Sequence, residues 1–377
     1  MKTRLCFLSW CVALVLFVGA TLVGRSEDAV ASPPAAAKSD GRVIFTLKAP
    51  NAKEVVLRGQ WKKEPIPMTK GDNGDWAVTI EAVPAGVWEY SYGVDGLNLM
   101  DPKNPSFKPQ REPGKSILQV PSNPPAPWDW QDVPHGTVHM HGYLSKVLGR
   151  PREVVVYTPP GYEADNAKKY PLLVLQHGSG DNQRTWVEHG KAHWIFDNLL
   201  AQKKVVPMVV MMIDGHPYGM VSRESADTKR LAAADAFRRE LLEDAIPLVE
   251  SMYRVEKDRT QRAIAGLSMG GAQSLTVGLG QIDQFAWVGA FSAGPPAPAI
   301  LEKFVADPAA ANEKLKLLWI AVGKDDFLRQ RSEELDKVLT DKGIHHMSKI
   351  SEGDHSWPVW RGYLAEFAPL LFKEAAR

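Results

Sequence analysis

The sequence has almost no cysteine. Its two cysteines, Cys6 and Cys11, both lie in an uncharged run near the start, so a mature chain without that run has none. Disulfide frameworks, thiolate nucleophiles and cysteine-ligated metals are thereby excluded, and an exported protein of this kind relies on its core alone. A surplus of charge is lacking too, with 45 Lys and Arg against 44 Asp and Glu. With no basic excess to neutralise phosphates, no nucleic-acid partner is expected. There is no internal repeat, and no low-complexity tract beyond two Pro-rich linkers. What is present is an ordinary globular composition: 377 residues, 44% hydrophobic and 24% charged. Two domains are the expectation for this length. The chain carries 12 Trp, a residue type that stacks on sugars but is first of all core material.

The N-terminus reads as a targeting segment. Lys2 and Arg4 precede an uncharged stretch from Leu5 to Gly24, and small-residue sites follow at Ala29-Val30-Ala31 or lie earlier at Val18-Gly19-Ala20. This is the pattern of a secretory signal peptide over residues 1–31. An uncleaved anchor is the alternative, because about 20 apolar residues also span a bilayer. Trp10 before Cys11 is a poor lipidation context. The expectation is a secreted or periplasmic protein with no membrane partner after cleavage.

Residues 32–40 form a Pro/Ala-rich linker. From 41 to 121 the pattern is all-β, with strands expected at Arg42–Leu47, Glu54–Arg58, Asp75–Ile80, Val87–Val94 and Lys115–Val120. Turn signals at Gly71–Gly74 and Asp95-Gly96 separate them, a spacing that suggests a small β-sandwich. Trp88, Tyr90 and Tyr92 alternate onto one face, as sandwich core residues do. A second Pro-rich stretch, residues 122–134, marks a boundary. From 135 to 377 strands alternate with helices, and the apolar runs Tyr170–Gln176, Val205–Ile213 and Leu317–Val322 fit strands buried on both faces of a mostly parallel sheet. Phe237–Tyr253 has helical periodicity, kinked at Pro247, and a last helix is expected from Tyr363 to about Ala375.

The strongest chemical signal is Gly266-Leu267-Ser268-Met269-Gly270-Gly271. Gly-x-Ser-x-Gly between an expected strand and an expected helix is a nucleophile elbow, which lifts Ser268 above the sheet edge. The Met269 N–H then points at a developing oxyanion. Such a serine needs a base, and the base an orienting acid. Just past the strand Leu317–Val322 stands Gly323-Lys324-Asp325-Asp326, where Asp326 is the candidate acid and Asp325 the alternative. His355 in Gly353-Asp354-His355-Ser356-Trp357 is the candidate base, whereas His345 and His346 flank or enter the preceding strand. A second oxyanion donor is expected from His177-Gly178-Ser179-Gly180, through the Ser179 N–H or else that of Gly178 or Gly180. His139 and His141, two apart on a strand, have no third ligand at metal spacing, so no metal is expected. His216 precedes Ser268 in the chain and is expected to be structural or substrate-facing.

From Val138 onward these pieces resemble carbohydrate esterase family 1, the feruloyl and acetylxylan esterases grouped with esterase D-like hydrolases. Val154–Tyr162, the His177–Gly180 loop, Ile195–Leu200, Gly266–Gly271, Gly323-x-x-Asp326 and His355-Ser356-Trp357 carry the likeness. Residues 41–121 resemble the early-set immunoglobulin-like or family 48 carbohydrate-binding module, through Ala49–Ala52, Val94–Gly96 and Asp101-Pro102. The resemblance implies an α/β-hydrolase fold and a cofactor-free acyl-enzyme mechanism on Ser268, Asp326 and His355. It also implies an ester-decorated polysaccharide or oligosaccharide as substrate, with His177, Trp186 and Trp357 as expected substrate contacts. Two other readings stay open: an esterase for a siderophore or another small ester, and a non-catalytic carbohydrate-binding protein on a hydrolase scaffold.

Overall fold

A computed structural model describes residues 41–221 and 226–373. The expected signal peptide and first linker lie outside the described residues. No helix among the described residues is long and apolar enough to cross a membrane.

Among the first strands, Val43–Lys48 and Val55–Gly59 alternate buried with more exposed residues, as sheets with one wet face do. These first strands are β1 (Val43–Lys48), β2 (Val55–Gly59), β3 (Ile66–Pro67), β4 (Thr69–Lys70), β5 (Asp75–Ile80), β6 (Gly86–Val94), β7 (Leu97–Leu99) and β8 (Ser116–Val120). Strands β1-β5-β4 form one antiparallel sheet, and β3-β2-β6-β7 with β8 on β6 form another. The two share a core that includes Phe45, Leu57, Trp76, Tyr90 and Leu118. Tyr90 and Tyr92 are fully buried, as their alternation predicts. Their hydroxyls meet the buried Asp101 at 2.7 and 3.4 Å. Residues 122–134 are tied down rather than slack. The Asp129 carboxylate accepts the Ser122 and Ala126 N–H groups, and Asn198 donates to the Pro127 and Asp129 carbonyls.

The remaining strands form an eight-stranded sheet in the order β16-β15-β14-β13-β11-β12-β10-β9. They are β9 (Thr137–Ser145), β10 (Arg150–Thr158), β11 (Leu172–Gln176), β12 (Val209–Ile213), β13 (Arg262–Leu267), β14 (Trp287–Phe291), β15 (Leu317–Gly323) and β16 (Met347–Ser351). Pairing is antiparallel from β9 through β10 to β12 and parallel from β12 to β16. β11, β12, β13 and β14 are buried along their whole length, and helices cover both faces over two separate apolar clusters. This is the α/β-hydrolase arrangement. Two helices differ from expectation. The helix before Pro247 widens into a π-type stretch, Glu240–Ala245, before continuing as Ile246–Met252; the wider turn absorbs the N–H that proline lacks. The last long helix begins earlier, at Trp357, and ends at Phe367.

Candidate active site

Ser268 stands at the end of the central strand β13, directly before the helix Met269–Gly280. Its backbone is strained, at φ 52° and ψ −116°. Close backbone packing holds the turn. A Cβ on Gly270 would sit 2.3 Å from the His177 carbonyl oxygen, and one on Gly266 2.7 Å from the Gly270 backbone, so only glycine fits at both. The Ser268 N–H is anchored on the Phe291 carbonyl at 2.8 Å. Asp326 follows β15 and His355 follows β16, so all three side chains gather at the carboxyl edge of the sheet, where open α/β sheets place their sites.

The structure brings these three residues into one chain of hydrogen bonds. His355 Nε2 lies 3.0 Å from Ser268 Oγ, and His355 Nδ1 lies 2.9 and 2.8 Å from the two Asp326 oxygens. An imidazole held this way carries its proton on Nδ1 and turns Nε2 toward the serine. Burial pushes the Asp326 carboxyl up, but hydrogen bonds from His355, the Leu328 N–H and Ser292 outweigh it and hold the carboxyl below the usual range. Asp325 is exposed and takes no part.

The loop after β11 lies against the elbow. The Gly180 N–H is spent on His216 Nε2 at 3.3 Å, and the Asp181 N–H on the Gly178 carbonyl. Among the described residues nothing accepts the Ser179 N–H. The Met269 N–H opens its helix and is one of the donors that a helix leaves without an internal acceptor.

The three expected substrate contacts are corrected. Trp186 has no exposed surface and Trp357 only 2%. Their rings pack edge-on at 5.0 Å, and the Trp186 indole donates to the Gln176 carbonyl. They are core under the site, because this chain has enough apolar neighbours there to enclose them. His177 is likewise buried: Nδ1 donates to the Gly178 carbonyl at 2.8 Å, and Nε2 accepts the Gly215 N–H at 2.9 Å. It therefore shapes the loop and cannot meet a substrate. His177, Asp214 and His216 form a cluster of metal-ligand type. Their donor atoms are already engaged, with Asp214 paired to both Arg111 and Arg152. His139 and His141 stack on each other and bond Thr158 and Tyr253.

Other residues of the site have little signature in sequence. Ser292 is fully buried after β14 and accepts the Trp360 indole N–H at 3.0 Å while bonding Asp326. The Trp360 ring stands edge-on to His355 at 4.9 Å. Phe327 is 59% exposed, with its ring 4.4 Å from the His355 imidazole. A serine or an aromatic just past a strand end was the available signal, but many such residues have no role.

The Esterase family model matches residues 145–371. The chain belongs to the Esterase family. Similar to it is the endo-1,4-beta-xylanase/feruloyl esterase of Xylanibacter ruminicola, 29% identical over 345 residues, which are 89% of this chain and 45% of that protein. The chain spans about half the length, or less, of the curated relatives it matches. Among solved structures, a ferulic acid esterase is 26% identical with a TM-score of 0.54, covering 62% of this chain and 97% of its own. The enterobactin esterase of Shigella flexneri is 19% identical with a TM-score of 0.63, over 87% of this chain and 92% of its own. That last likeness is one of fold, and its span exceeds the part of this chain that follows Pro134.

Proposed function

We propose that the chain is a secreted serine carboxylesterase that removes acyl groups, feruloyl or acetyl, from xylan-type polysaccharides. The observation that carries the reading is the 3.0 Å approach of His355 Nε2 to Ser268 Oγ, with Asp326 on the opposite ring nitrogen. Ser268 Oγ attacks the ester carbonyl while His355 takes its proton. The Met269 and Ser179 N–H groups hold the oxyanion. His355 then protonates the leaving sugar hydroxyl, and an acyl-serine remains. Water repeats the cycle and releases the acid. Asp326 keeps the imidazole in the required tautomer and stabilises the imidazolium. No cofactor enters this scheme. The substrate class is supported by the feruloyl esterase relatives and by the exposed Phe327 ring beside His355, a surface suited to an aromatic acid or a sugar. The strands β1–β8 are read as an immunoglobulin-like early-set module.

The purified chain should hydrolyse p-nitrophenyl acetate and methyl ferulate. Ser268→Ala should lower kcat by roughly 10⁴- to 10⁶-fold, and full activity in that variant would refute the reading. Feruloylated or acetylated xylan fragments should be turned over faster than ferric catecholate esters, and the reverse order would favour a siderophore ester instead.

A further inference from the structure

We propose that the β-strand unit is a working part of the catalytic centre: Arg111, with Lys108 and Gln110, is a positioning residue that fixes the loop carrying the Ser179 N–H. The inference rests on the serine-esterase reading above and names a component that reading does not contain.

The loop Gly178-Ser179-Gly180 has almost no side chain with which to hold itself. Its geometry comes from partners of its peptide groups. The Gly178 carbonyl shares a peptide plane with the Ser179 N–H. It accepts from His177 Nδ1 at 2.8 Å and from the Asp181 N–H at 3.3 Å. Gly180 is held on both sides. Its carbonyl accepts the Arg111 N–H at 2.8 Å, and its own N–H goes to His216 Nε2 at 3.3 Å. His216 is in turn set by Asp214, whose Oδ1 meets His216 Nδ1 and the His216 N–H, each at 3.0 Å. The Arg111 guanidinium pairs with the other Asp214 oxygen, which Arg152 also reaches at 3.3 Å. Arg111 therefore acts on Gly180 twice, directly through its backbone and indirectly through Asp214 and His216.

The neighbours of Arg111 make the same connection. Gln110 forms a bridge with Asp181, the Thr185 hydroxyl donates to the Pro109 carbonyl, and Lys108 lies 3.3 Å from the buried Asp181 carboxylate. Lys108 also meets Glu89 of β6 at 3.2 Å, and Glu89 accepts from the buried His189 at 3.1 Å. The His189 ring packs edge-on to Trp357, two residues from His355. Burial keeps His189 neutral, so this contact is an N–H donated to an ionised Glu89. The connection thus runs from the β-unit to both the oxyanion loop and the base loop.

The test uses the full chain and p-nitrophenyl acetate, a substrate too small to need a glycan-binding surface. Active sites are counted by fluorophosphonate labelling at saturation, so kcat is read per competent serine. Arg111→Ala should lower kcat by about 10- to 100-fold, part of what an oxyanion donor supplies, with KM changed less than about threefold. Arg111→Lys, which keeps a charge for Asp214, should recover at least half of that loss on a logarithmic scale. Should Arg111→Ala yield no soluble protein, Arg111→Gln carries the same prediction against Arg111→Lys. A kcat per labelled site within twofold of wild type in Arg111→Ala, or in Arg111→Gln where it stands in, would overturn the proposal, as would an Arg111→Lys variant no better than Arg111→Ala. So would a loss confined to feruloylated xylan, which would make the β-unit a glycan binder. Failure of the underlying reading is separate, since it would appear as activity or labelling surviving in Ser268→Ala.

Discussion

Ser268 occupies a backbone conformation, φ 52° and ψ −116°, that side-chain-bearing residues reach only under strain. Such strain costs about 1–3 kcal/mol and persists only where the surroundings enforce it. Here they do, through the glycine packing at 266 and 270 and the anchor on the Phe291 carbonyl. Comparing Ser268→Ala with Ser268→Gly isolates the strain, because both variants lose the hydroxyl and its bond to His355. Glycine relieves the strained φ but loses about 0.4–1 kcal/mol through its freer unfolded chain. The balance runs from about 0 to 2.6 kcal/mol and is about 1.3 kcal/mol in favour of glycine at the middle of both ranges. The sign is diagnostic, since glycine in place of alanine at an unstrained helix or strand position destabilises by about 0.5–1 kcal/mol. Urea unfolding of the two inactive variants gives the difference as the shift in midpoint multiplied by the common slope. An alanine variant as stable as the glycine variant, or more so, would refute the claim that the elbow stores strain at the nucleophile.

Asp326→Asn should keep the geometry but fix the wrong imidazole tautomer, lowering kcat on p-nitrophenyl acetate by about 10⁴-fold. The Asp326 carboxyl is held low in the folded chain, so its stabilising effect is present above the unfolded value of about 3.9. That effect is lost as pH falls through the lower folded value, and acid unfolding of Asp326→Asn should lack this component. Gly270→Ala places a methyl 2.3 Å from a backbone oxygen; thermal and urea unfolding should show a loss of about 1–3 kcal/mol, together with lost activity. Phe327→Ala should raise KM for methyl ferulate by about 3- to 10-fold, the worth of one aromatic contact, while p-nitrophenyl acetate is affected by less than about twofold.

The three residues that the structure brings together, Ser268, Asp326 and His355, were legible because each lies in a short string at a strand end, and their order along the chain is itself a constraint. The all-β and α/β portions were legible because burial period follows strand environment: β1 alternates, whereas β11 and β12 are buried throughout. The strand β14 was not read, because Gly289 and Ala290 dilute its apolar run. The roles of Trp186, Trp357 and His177 were misread for a different reason. An indole beside a cleft and an indole beneath it have the same sequence neighbours, and only the fold tells which face each takes. Arg111 and Asp214 are 103 positions apart, and no local pattern in either segment announces the other.

These differences follow from what each part of the site has to hold. The proposed nucleophile, Ser268, needs a fixed backbone, and glycines that let main chains touch supply it. The proposed base needs a fixed ring; Asp326 holds it by hydrogen bond, Ser292 bonds Asp326 from behind, and Trp360 packs edge-on against the imidazole from the following helix. The proposed oxyanion loop needs a peptide N–H left over, so its own side chains must be small and its other peptide groups must be occupied. A loop of that composition cannot pack itself into place, and its anchors have to come from other segments. His177 and His216 come from the ends of β11 and β12, and the remaining anchor comes from residues 108–111 of the β-unit. A β-unit attached for this purpose needs no glycan-binding face of its own. The burial of Tyr90 and Tyr92 fits that view, since the aromatic face most suited to a sugar is spent on the core.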